Sequence, residues 1–183
     1  VDAVLISHLH ADHFLDLVPY SYALTYAPKQ QPVPVHTSPG TDSPARPRLI
    51  APPGARKTLR SVVGVWGNED LIEKAFELEE YAAGSEVTVG EVTASFHPVP
   101  HFIDTFAVNV GAEGTGSKLS YSADTSPSEE IVEIARDADL MVVEATLPRP
   151  ERTGVRGHLT PEEAGDHARR AGAKRVVITH ISD

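Results

Sequence analysis

The sequence predicts a layered α/β domain. Three observations carry that prediction. Apolar runs of strand length recur through the second half, helix-length segments with marked starts lie between them, and the chain opens on an apolar run, Val1-Asp2-Ala3-Val4-Leu5-Ile6. That opening run reads as a buried strand. At 183 residues the chain suits one domain over 1–183 with a sizeable core. It starts on Val1 inside an apolar run and stops equally abruptly at Thr179-His180-Ile181-Ser182-Asp183. The expectation is therefore a domain truncated at its N-terminus, with the C-terminus a second candidate for truncation.

The elements follow in order. After the first strand and a His-rich loop, the apolar segment from Phe14 to Tyr26 suits a helix, and Pro19 must then sit in its first turn or kink it. Residues 28–54 hold eight of the fifteen prolines and read as an irregular wall, with one short extended piece at Val33-Pro34-Val35-His36. Ala55 to Val63 and Asp70 to Tyr81 read as two helices. Val87–Val89 and Val92–Phe96 form a hairpin around Gly90, and Phe106–Val110 and Lys118–Ser122 are strands around a Gly-rich turn. A helix over Ser128–Arg136, a buried strand at Leu140–Glu144, a helix over Pro161–Ala171 and a strand at Arg175–Thr179 complete the chain. Ser126-Pro127 and Thr160-Pro161 each place a capping hydroxyl before a helix-starting proline.

Composition removes several function classes. With 16 Lys+Arg against 26 Asp+Glu, the net charge is −10, which disfavours a basic surface that grips nucleic acid. Without cysteine there is no disulfide framework, thiolate zinc site or cysteine nucleophile. No apolar run approaches the ~20 residues of a membrane span. A cytoplasmic location is expected, and a leader, if the natural chain has one, would precede Val1. Nine histidines are a surplus in a chain of this length, so their placement decides the reading.

The sharpest feature is His8-Leu9-His10-Ala11-Asp12-His13, directly after the first strand. His8 and His10 are two apart, so extended backbone puts both rings on one side. Asp12 and His13 follow where the chain turns into the next element. Burying three imidazoles and a carboxylate together costs several kcal/mol unless metal or hydrogen bonds satisfy them. This run matches the His-x-His-x-Asp-His signature of the metallo-β-lactamase superfamily, and the chain resembles that family along nearly its whole length. The family looks for a third His after the middle strands, an Asp after a later strand and a last His after the final one. Pro98-Val99-Pro100-His101, Ser122-Ala123-Asp124-Thr125 and Ile178-Thr179-His180 supply them in that order.

The resemblance implies a four-layer αββα sandwich, here without its first strands, and two divalent metal ions. His8, His10 and His101 would hold one ion, Asp12, His13 and His180 the other, and Asp124 would bridge them. Nitrogen and carboxylate ligands suit zinc, with manganese or iron as alternatives. A hydroxide held between the metals would be the nucleophile, which adds Asp12 to the catalytic set. His97 is the rival for the third position; the Pro98–Pro100 lead-in and the spacing to Phe106-Ala107 favour His101. His36 and His167 read as ordinary surface or helix residues.

Within the superfamily, Val143-Glu144-Ala145-Thr146 and Gly157-His158-Leu159-Thr160 are similar to elements of the tRNA 3′-processing (ribonuclease Z-like) branch. By that likeness His158 protonates the leaving group and Glu144 orients it. The polynucleotide-cutting members carry an arm between the third His and the bridging Asp, whereas only 22 residues lie between His101 and Asp124 here. Basic residues cluster at 46–48, 56–60 and 149–156, and Arg149, Arg152 or Arg156 would be the ones to face a phosphate.

The pattern most resembles the short, armless members, including cyclic-nucleotide phosphodiesterases. The expected function is hydrolysis of a small phosphodiester by a dinuclear metal enzyme, with large RNA disfavoured as a partner, no membrane partner and a homodimer allowed. Three rivals stand beside it: a tRNA 3′ endonuclease, a thioester or lactone hydrolase, and a non-catalytic metal-binding module. A domain without its first strands would leave a sheet edge uncovered, to be paired by further chain or by another molecule.

Overall fold

Three residues near the start of the chain, a proline-bounded run near residue 50 and the segment after Ala75 come together as three parallel strands. In the computed structural model, which describes residues 1–29, 41–151 and 153–182, the chain divides into two units, 1–80 and 81–183. The Val33–His36 piece, with His36, and Arg152 and Asp183 lie outside the described residues.

In the first unit, β1 (Ala3–Leu5), β2 (Arg48–Ala51) and β3 (Glu77–Glu80) form a parallel sheet in the order β1-β2-β3. Helix α1 (Leu17–Tyr26) connects β1 to β2, while α2 (Ala55–Gly64) and α3 (Leu71–Ala75) connect β2 to β3. Pro19 falls in the first turn of α1, where its missing N–H costs nothing. Leu49 and Ala51 of β2 pack with Phe14, Leu17, Leu59, Val63, Leu71 and Phe76 in one core cluster.

Three sequence expectations need correction here. The opening strand has Leu5 exposed rather than buried, because among the described residues it has a sheet neighbour on one side only. The stretch 28–54 is not irregular throughout: β2, fully central to its sheet, sits between Pro47 and Pro52. The helix expected over 70–81 stops at Ala75, and the acidic run after it is β3. Glu-rich sequence favours a helix, but pairing with β2 in register, Leu49 opposite Leu78, overrides that local preference. Arg48 then meets Glu79 at 2.5 Å.

In the second unit, β4 (Glu86–Val89), β5 (Val92–Val99), β6 (Thr105–Ala112) and β7 (Lys118–Tyr121) run as an antiparallel meander. Two parallel strands, β8 (Leu140–Ala145) and β9 (Val176–Ile181), extend the same sheet in sequence order. Gly90 takes a φ of 59° in the β4–β5 hairpin, the left-handed region that such a turn demands. Helices α4 (Glu129–Ile134) and α5 (Pro161–Ala171) make the parallel crossovers. Ile131, Val132, Ala164, Ala168 and Ala171 cover Val99, Ala107, Met141 and Val143.

The cap of α4 is Ser128, whose hydroxyl accepts from Ile131 N–H, so the Ser126-Pro127 expectation was two residues early. Thr160 caps α5 as expected and forms a full capping box with Glu163. The structure is thus mixed α/β with two sheets and their helices, the class the sequence predicts. Among the described residues, no helix is long and apolar enough to cross a membrane.

Candidate metal and catalytic centre

Each unit ends its strands on a set of polar side chains. In the first unit the backbone leaves β1, stays extended to His10 (φ −73°, ψ 147°) and tightens into a single 3-10 turn at Ala11–His13. His8 is fully buried, and its ring lies 4.9 Å from that of His10 and 4.1 Å from that of His13. The Ser7 hydroxyl meets His8 Nδ1 at 3.0 Å. Asp12 is exposed, 3.5 Å from His13 Nε2. The four predicted residues of this unit therefore converge, as the two-residue spacing followed by a turn requires.

In the second unit, His101, Asp124, Glu144, His158 and His180 come from five different segments. Asp124 is buried after β7 and lies 3.6 Å from His180 Nε2 and 3.8 Å from His158 Nδ1. One ligand-type atom from each of Asp124, His158 and His180 falls within 4.8 Å of the others. The His101 ring centroid is 5.0 Å from that of His158. His97, the rival of His101, instead pairs with Ser95 Oγ at 2.9 Å, and burial and Lys118 push its pKa down.

Glu144 organises this cluster. It is fully buried, and four donors reach its carboxylate: Thr125 N–H and His158 Nδ1–H at Oε1, Thr146 N–H and the Thr146 hydroxyl at Oε2, all between 2.8 and 3.0 Å. A buried carboxylate is tolerable only when so satisfied. The Thr146 hydroxyl has one hydrogen, and the carboxylate is its strongest acceptor, although the His180 carbonyl lies 3.0 Å away. Thr146 Oγ1 therefore accepts from His180 Nδ1, 2.6 Å away.

The same logic fixes His101. Its Nδ1 lies 2.7 Å from the Gly157 carbonyl, which can only accept, so the proton is on Nδ1. In both histidines the lone pair is thereby assigned to Nε2, the tautomer a metal ligand needs.

Local backbone geometry aims these side chains. Ala123, just before Asp124, has a φ of 54°, and His180 has a φ of 52°. Such left-handed non-glycine residues cost about 1–3 kcal/mol each and cluster where a site dictates conformation. At His180 the reason is visible: β8 and β9 pair Glu144 with Thr179 and Ala145 with Ile181, so His180 is the extra residue of a bulge.

Several participants escaped the sequence reading. Thr146 follows the end of β8, two residues after Glu144, and nothing local to a threonine gives it a role until its partners are placed. Arg156 does not offer a loose charge for a phosphate; it pairs with Glu163 through both guanidinium arms and donates to the His158 carbonyl at 3.1 Å. His167 is a helix residue of α5, as one of the two expected readings has it, and it is buried: Nδ1 donates to the Glu163 carbonyl and Nε2 accepts from Ser128 N–H, tying α5 to the start of α4.

Strand ends carrying histidines and carboxylates on a two-sheet α/β scaffold define the metallo-β-lactamase fold class. The family described as "Beta-lactamase superfamily domain" matches residues 1–181, and the chain belongs to that superfamily, in its ribonuclease Z-like branch. The ribonuclease Z of Halorubrum lacusprofundi is 32% identical over 218 residues, covering 100% of this chain and 70% of that protein. The Mycobacterium tuberculosis protein Rv1339 is 30% identical over 179 residues, 97% of this chain and 61% of that protein. The chain thus spans about three fifths of the length of these mycobacterial relatives. Its fold matches the metallo-β-lactamase fold protein YhfI of Bacillus subtilis with a TM-score of 0.76 and 21% identity, over 99% of this chain and 65% of that one. Human short-form tRNase Z gives a TM-score of 0.72 at 21% identity, over 100% and 73%.

Proposed function

We propose that this chain is the metal-dependent hydrolase domain of a small-phosphodiester hydrolase, acting on a cyclic-nucleotide-like substrate. One domain over 1–183 is part of that reading, in line with the single family match. The observation that carries it is the arrangement of His158 between a buried orienting carboxylate, Glu144, and the candidate ligand Asp124. His8, His10 and His101 would hold one divalent ion, Asp12, His13 and His180 the other, with Asp124 shared, and zinc suits the set. The Nδ1-protonated tautomers of His101 and His180 fit that assignment. When bound, the ions supply Lewis acidity that activates a water and offsets charge developing on phosphate oxygens.

The remaining chemistry belongs to the chain. His158 comes near Asp124 through Nδ1, the nitrogen that Glu144 already engages at 3.0 Å, so we read it as a proton carrier rather than a ligand. With Nδ1–H donating to Glu144, Nε2 is the atom that carries a proton to the departing alkoxide. Glu144 keeps the ring aimed and favours its charged form during the transfer. Arg156 holds the His158 backbone carbonyl while its own charge is matched by Glu163.

The test is turnover by metal-loaded protein on cyclic AMP and on precursor tRNA. Hydrolysis of the small diester is expected, and His158→Ala should slow it by about 10²–10⁴-fold with bound metal unchanged. Cleavage of the RNA alone would overturn the substrate reading.

A further inference from the structure

Beside His158 lies an aromatic side chain that the proposed chemistry leaves unused. Phe102 is 51% exposed, although it follows His101 directly. Its ring centroid is 5.0 Å from that of His101 and 5.9 Å from that of His158, inclined at 50° and 68°. Ile103, also exposed, extends the apolar surface.

The Phe102 ring lies against Gly157. Gly157 sits beneath it, so closely that a Cβ at that position would come within 2.2, 2.5 and 2.7 Å of three ring carbons. No side chain larger than hydrogen fits there without displacing Phe102. The Gly157 carbonyl meanwhile accepts from His101 Nδ1 at 2.7 Å. One residue therefore seats the ring through its missing side chain and fixes His101 through its carbonyl. Ring and candidate site share a single support.

We infer that Phe102 is a specificity-determining residue, a platform on which a planar aromatic group of the substrate, a nucleobase, stacks while its phosphate lies toward His158. The inference rests on the phosphodiesterase reading and adds the group that the site selects. An exposed aromatic ring suits this role because every base offers a face of its own, and stacking tolerates differences among bases. It predicts preference for nucleotide over sugar phosphate, with little discrimination between adenine and the other bases.

The experiment compares binding of adenosine 5′-monophosphate and ribose 5-phosphate to the metal-loaded protein by calorimetry. Wild type should prefer the nucleotide by about 10-fold or more, the range that base–aromatic stacking supplies. Phe102→Leu should collapse that ratio to about 2 or less while ribose 5-phosphate binds as before, and Phe102→Trp should restore it. A ratio unchanged in Phe102→Leu would overturn the inference. So would equal weakening of both ligands, which makes Phe102 a wall that excludes water. If the ratio and its dependence on Phe102 stand but no diester is hydrolysed, the phosphodiesterase reading fails and the platform survives.

Discussion

Thr146 shows how much a single hydroxyl decides. It donates to Glu144 and accepts from His180, so the carboxylate that aims His158 also sets the tautomer of a candidate metal ligand. Replacing Thr146 with Val keeps the shape but removes the acceptor for His180 Nδ1–H and one donor to a fully buried carboxylate. We predict that Thr146→Val weakens divalent-metal binding about 10- to 100-fold in a chelator competition, whereas Thr146→Ser retains it. Unchanged affinity in the Val variant would show that the bulge alone orients His180. At this scale the sequence was legible wherever a residue type announces its chemistry: the His8–His13 run, His101, Asp124, His158 and His180 could all be named. Thr146, Ser7 and Gly157 could not, because a hydroxyl or a glycine has no distinctive chemistry until a partner is placed beside it.

Among the elements, α5 was the most legible and β2 the least. Thr160-Pro161 and Glu163 encode the start of α5 locally, and the helix runs over the residues expected. Arg156 adds what the local signal lacks. Its guanidinium, followed by the Thr160 N–H, brings the Glu163 carboxyl down to about 2. A depressed acid stabilises the fold above its unfolded value, and that contribution fades as pH falls through the folded value. Glu163→Gln should therefore lower thermal stability near neutrality and converge with wild type as pH approaches about 2. A difference that persists undiminished there would assign the effect to packing. Strand β2 is hidden by the prolines on either side of it, since local signals mark turns and only pairing with β1 and β3 makes a strand of Arg48–Ala51. Its Leu49 is fully buried, and Leu49→Ala should cost about 2–5 kcal/mol in denaturant unfolding. A loss under about 1 kcal/mol would contradict a central place for β2.

For the whole molecule, the histidine surplus is explained by the candidate ligand set, which takes five of the nine. The seven residues read as ligands are His8, His10, Asp12, His13, His101, Asp124 and His180, and two divalent ions would more than offset the two negative charges of the aspartates. The fold class was readable because periodicity and capping mark most elements, and the family because the ligand motif is dense and ordered. The acidic balance, −10 overall, disfavours a large polyanion and agrees with a small substrate. The central claim is that the two histidine-carboxylate sets hold two metal ions. Metal content per chain, measured by mass spectrometry on purified wild type and Asp124→Ala after equilibration with zinc, tests it most directly. The account predicts two ions per wild-type chain and loss of at least one in Asp124→Ala; fewer than one ion per wild-type chain, or identical content in both, would contradict it.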